Sequence, residues 1–181
     1  MGIFDIFKTS KTSYKKIFAE YIRQQELISP VIFLAFQANH SEILSDNPKY
    51  SEEIKKLLMV VYFYGALDGM AFLIDEKKEL NDSIVLACLR GALSSSVFGY
   101  SEDNIRLIMK FLEDNFNERW FFKIHIQGVE AIDRFWRDES KKEHPNLYKS
   151  LQVGKIFDDH DLLIEALPFL QKQYAALRWK L

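Results

Sequence analysis

A chain of 181 residues with 48% hydrophobic and 14% aromatic content has the length of one domain and enough apolar surface to build its own core. Its 24 lysines and arginines nearly balance 26 aspartates and glutamates, so the global field is weak and net charge implies no nucleic-acid partner. Cys88 is the single cysteine, which excludes an intrachain disulfide and suits a reducing, cytoplasmic compartment.

The opening residues, MGIFDIFK, carry no basic leader before a long apolar stretch, so no secretory signal is expected. Ile6 also stands where a myristoylation pattern wants serine or threonine. Ile3, Phe4, Ile6 and Phe7, followed by Lys8, Lys11, Lys15 and Lys16, leave two roles for an arm over residues 1–12. It either straps across the bundle or lies as a basic amphipathic anchor on a membrane surface. So short a segment buries little by itself, which favours the strap.

Apolar positions recur at three and four rather than two, so the fold expected for residues 13–181 is all-α. It is a single-domain bundle of about 6–8 helices. A helix over 13–28 presents Tyr14, Ile17, Phe18, Tyr21 and Ile22 on one face. Ser29-Pro30 starts another, because serine caps free amides and proline tolerates the first helical position. That helix ends before Asn47-Pro48.

Ser51-Glu52-Glu53 opens the central helix, at about residues 51–75, with an acidic first turn that complements the helix dipole. Residues 57–74 approach the transmembrane threshold of about 18 apolar residues, yet Asp68 interrupts them. Lysines flank the run on both sides (Lys55, Lys56, Lys77, Lys78), so the charge bias that orients a span is missing. With apolar stripes on two sides, the helix belongs in the middle of the bundle. Gly65 and Gly69 are costly inside a helix unless another backbone approaches there, and they mark the expected close crossing. The expected partner is the next helix, capped by Asn81 and Asp82, where Ala87, Gly91 and Ala92 are small enough to receive it. Gly99 ends that helix.

Ser101-Glu102-Asp103 starts a further helix, and the asparagines on either side of Phe116 predict a break. The following helix carries Phe121, His125, Val129, Ile132 and Trp136 on one stripe. Residues 140–146 read as a loop, and Pro168 should kink or divide the last helix.

Three features bear on function. Asp68, beside Gly65 and Gly69 on an apolar helix, has room for a ligand to approach; it also suits an interior pair with Arg90, His125 or a tyrosine hydroxyl. His125 has the chemistry of a general base, but no motif supplies a nucleophile, and a satisfied core histidine is the simpler reading. Asp158, Asp159, His160 and Asp161, with His144 upstream, resemble a metal cluster in composition only. Contiguous residues rarely converge on one ion, and acidic residues before an apolar helix serve as a cap, so no metal or cofactor is expected. Finally, no basic stripe or recognised motif supports nucleic-acid binding.

The leading expectation is a non-enzymatic interaction module with a protein partner or a second copy of itself, using exposed aromatics such as Trp120, Tyr148 or Trp179. The alternative is an enzyme or small-ligand binder with Asp68, Arg90 and His125 converging in an inter-helix cavity. Peripheral membrane attachment through residues 1–8 is the third.

Overall fold

The computed structural model describes residues 15–23, 25–26, 52–74, 80, 82–95, 98–139 and 160–178. The N-terminal arm, the helix expected after Ser29-Pro30, the 140–146 loop, Asp158, Asp159, Tyr148 and Trp179 lie outside these residues. The described residues form six helices and no strand: α1 over 15–23, α2 (Glu52–Ile74), α3 (Asp82–Ser94), α4 (Glu102–Asn115), α5 (Arg119–Glu139) and α6 (His160–Arg178).

The centre of the fold is α2. From Ile54 to Ala71 every residue is buried except Lys56 and Asp68, as a helix apolar on all sides requires. Phe63, Leu67 and Met70 are among its fully enclosed side chains, each stabilising the fold by about 1.5–3 kcal/mol. Residues Ile54–Ile74 are long and apolar enough to cross a bilayer, and most of that stretch is covered by protein in this fold. Phe72, which the helical spacing places on an apolar stripe of α2, is 68% exposed on a groove that Val129 and Asp133 of α5 also line.

The most extensive packing of α2 is against α5. Tyr64 meets Phe121 with ring centroids 6.5 Å apart, Asp68 faces His125, and Gly69 faces Val129. These contacts advance in the same sense along both chains, so the two helices run in parallel. A β carbon on Gly65 would overlap the carbonyl oxygen of His125, and one on Gly69 would sit 2.9 Å from the Val129 α carbon. Gly128 supplies the reciprocal gap, since a β carbon there would strike the Tyr62 carbonyl. The crossing is thus backbone on backbone.

The crossing partner therefore differs from the sequence expectation. Gly91 is exposed, with no atom within 4 Å of where its β carbon would be, so it takes no part in a helix crossing. Ala87 is exposed as well. Of the small residues on α3, Ala92 is buried in the core while Ala87 and Gly91 face solvent, and it is α5 that carries the glycine that lets two backbones touch.

Local signals account for the helix ends. α3 stops at Ser94, and Gly99 follows with φ +66°, a left-handed conformation that glycine adopts at no steric cost. Its amide donates to the Ser95 carbonyl at 2.8 Å. Ser101 caps α4, its hydroxyl accepting from the Asn104 amide at 3.3 Å. The break after Asn115 occurs as the two asparagines suggest: the Asn115 side chain donates to the Phe111 carbonyl at 2.7 Å, a tight turn follows, and α5 begins at Arg119.

Trp120 is fully buried rather than available to a partner. Its ring lies between Phe111 of α4 at 6.0 Å and Phe169 of α6 at 5.7 Å, so its bulk fills the junction of three helices. Gln173 of α6 donates to the Leu107 carbonyl of α4 at 2.6 Å, pinning the same junction. α6 runs unbroken through Pro168. Pro168 and Ile164, the residue whose carbonyl loses its donor, are both exposed, so the missing bond lies on the solvent side.

Candidate functional site

The parallel α2/α5 crossing brings two polar side chains together inside an aromatic setting. Gly65 admits the backbone at His125, and Asp68 follows three residues later on α2, which carries its carboxylate to the same helix face. His125 Nε2 lies 3.6 Å from Asp68 Oδ2. That distance gives electrostatic contact but is too long for a hydrogen bond, and Nε2 has no hydrogen-bond partner among the described residues.

Three rings enclose the imidazole. Tyr64 meets it edge to face at 4.9 Å, Phe121 stacks at 6.4 Å, and Phe116 approaches edge-on at 6.4 Å. The His125 side chain is 9% exposed, whereas Asp68 is 44% exposed and opens toward solvent. Burial in this box pushes the His125 pKa below its ordinary value, with Asp68 pulling the other way. Burial also raises the Asp68 pKa; His125 opposes that rise and the carboxylate of Asp82 adds to it.

Asp68 is felt by groups from four helices. Tyr64, one turn before it on α2, has its phenol pushed up to about 12 by burial and by the fields of Asp68 and Asp82. Tyr21 of α1 is raised further, mainly by burial, and its hydroxyl donates to the Leu67 carbonyl at 3.2 Å. Asp82 comes from the first turn of α3 and His125 from α5.

A cleft of about 420 Å³ opens beside this cluster, walled by Tyr64, Asp82, Leu86, Met109, Leu112, Glu113, Phe116 and Asn117 from α2, α3 and the end of α4. Asp68 and His125 do not line it. His125 sits behind Tyr64 and Phe116, whose rings pack on the imidazole and which also line the cleft.

Of the residues the sequence singles out, the structure brings Asp68 and His125 together and leaves Arg90 apart. Arg90 is half exposed and pairs with Glu102, linking α3 to the first turn of α4. The sequence reading missed Tyr64, Glu113 and Phe116, and took Asp82 only as a cap. One signal for Tyr64 was present, its four-residue spacing from Asp68; the others lie on elements whose approach no local pattern announces. Among the described residues, no group of three or more histidine, cysteine or acidic side chains is placed to hold a metal.

These features define an all-α bundle with a buried histidine and a half-exposed aspartate paired at a parallel helix crossing beside a half-open cleft. No family model matches the chain, and neither a curated protein nor a solved structure matches it.

Proposed function

We propose that this protein is a binding module that takes a small ligand into the cleft between α2, α3 and α4. The observation that carries this reading is the double role of Tyr64 and Phe116: both line the cleft, and both are braced from behind by the buried His125. A pocket wall held by packing is pre-organised and loses little entropy when a ligand arrives. The cleft's volume also falls within the range of about 300–1,000 Å³ usual for small-molecule sites. Asp68 and His125 then act as positioning residues, because neither reaches the cleft.

Methionine methyl groups provide the test. Met109 lines the cleft, whereas Met59 and Met70 are enclosed in the core. In a ¹³C-methyl-methionine spectrum, small-molecule fragments that bind are expected to move the Met109 signal and leave Met59 and Met70 in place. A chemically varied fragment set that never moves Met109 would sink the reading.

A second reading, a protein partner or second copy, is supported by Phe72 and Phe122, which are 68% and 59% exposed. Phenylalanine is among the aromatic residues enriched at protein interfaces. Light scattering of the purified chain, alone and with a co-purifying protein, tests it. A stoichiometric complex that Phe72→Ser or Phe122→Ser dissolves supports the reading, and a complex indifferent to both removes it.

A further inference from the structure

The walls of the cleft divide by charge and polarity in one direction only. Leu86, Met109 and Leu112 give an apolar floor, Tyr64 and Phe116 give two aromatic rings, and Asp82 and Glu113 give two carboxylates from different helices. Among the described residues, no lysine or arginine lines it and neither carboxylate forms an ion pair.

The end of α4 adds to the same field. That helix terminates at Asn115, with Phe116 and Asn117 both on the cleft wall, so its negative pole points there. Its last turn carries Glu113 and Asp114 and no basic residue, the reverse of what a helix C-terminus favours. Carboxylates placed against a helix dipole are locally unfavourable, and such violations of local preference concentrate where a ligand supplies the compensation. Behind the wall, the partly buried Asp68 contributes a third negative group, close enough to Asp82 for the two to repel.

We propose that the cleft binds an organic cation of the alkylammonium class, its charge held by Asp82, Glu113 and the faces of Tyr64 and Phe116, and its chain laid along Met109 and Leu112. This rests on the reading of the cleft as a ligand site. Aromatic faces and carboxylates together are the recognised chemistry for such a group. An anion would meet only like charge. A hard divalent cation wants about six oxygen ligands and gains nothing from an apolar floor.

The experiment titrates the full chain with n-hexylammonium, 1-hexanol, hexanoate and Ca²⁺, reading the Met109 methyl signal. Hexylammonium is expected to bind at least about tenfold more tightly than hexanol, and hexanoate not at all. Glu113→Gln should weaken hexylammonium by about tenfold while leaving hexanol unchanged, and added salt should weaken only the cation. Because that substitution removes a carboxylate from the negative pole of α4, melting of the variant should be unchanged or raised, which separates lost binding from lost fold. Asp82→Asn is the second variant, with the same expectation for binding.

Hexanol or hexanoate equalling the cation, or Ca²⁺ displacing it at equimolar concentration, would overturn the cation assignment. If other fragments move Met109 and hexylammonium does not, the ligand class falls while the cleft stands as a site. If nothing moves Met109, both fall.

Discussion

Gly65 of α2 and His125 of α5 meet backbone to backbone, and no side chain, not even a methyl group, fits between them. That contact sets where the imidazole lies, because the peptide pressed against Gly65 is the one that carries the His125 side chain. The backbone-on-backbone crossing and the Asp68–His125 pair are thus one feature.

Gly65→Ala is therefore expected to destabilise the protein by about 3 kcal/mol, since the helices must part to admit a β carbon. Gly128→Ala, which would strike the Tyr62 carbonyl, should be similarly severe. Gly91→Ala should instead stabilise by about 0.5–1 kcal/mol, because its surroundings are open and alanine is the better helix former. Denaturant unfolding of the three variants decides the matter, and a Gly65→Ala protein as stable as the parent would mean the crossing is misplaced.

The polar pair has a pH signature. The folded-state pKa of Asp68 is raised above 3.8, so its contribution to stability is present below that value and is lost as pH rises through the raised one. His125 has a folded-state pKa below 6.5, so its contribution is present above that value and is lost as pH falls through the lowered one. Asp68→Asn removes the first loss, and the variant should gain on the parent as pH rises from about 4 to about 7. It also removes the carboxylate that favours the imidazolium, so the His125 pKa, followed by its ring proton signals, should fall further. An unchanged His125 pKa would show that Asp68 does not act on it.

Tyr21→Phe tests how α1 is held. The hydroxyl donates to the Leu67 carbonyl in a buried setting, and its loss should cost about 1 kcal/mol. Amide exchange should quicken in residues 15–23 before it does in α2, and uniform quickening would argue against a separable α1 contact.

Cys88 should behave as core. It is 7% exposed and burial raises its thiol pKa, so alkylation by iodoacetamide at neutral pH should be slow in the folded protein and fast in denaturant. Prompt labelling of the native chain would show α3 opening on the timescale of the reaction.

Some of this architecture was legible in the sequence because its causes are local. The apolar surround of residues 54–71 places α2 at the centre, Ser101 caps α4, the asparagines around Phe116 break the chain, and Gly99 takes a positive φ. Each follows from a few neighbouring residues and their hydrogen-bonding needs. The requirement for a close crossing at Gly65 and Gly69 was equally readable, because glycine in a helix interior is costly unless something occupies the space it leaves.

Which backbone fills that space is a different kind of fact. Gly91 and Gly128 look alike along the chain, each a single glycine in a helix, yet one faces solvent and the other receives α2. The choice depends on how the helices share the burial of aromatic bulk, including Trp120, which a local reading sends to the surface and the packed core encloses. The same global balance separates Arg90 from Asp68 and brings Tyr64, Asp82, Glu113 and Phe116 around one cleft. Sequence by itself determined the helices and their apolar faces, since these arise from residues a turn or two apart. Tertiary structure alone decided the partners, because packing energy is shared among side chains far apart in the chain and belongs to no single segment.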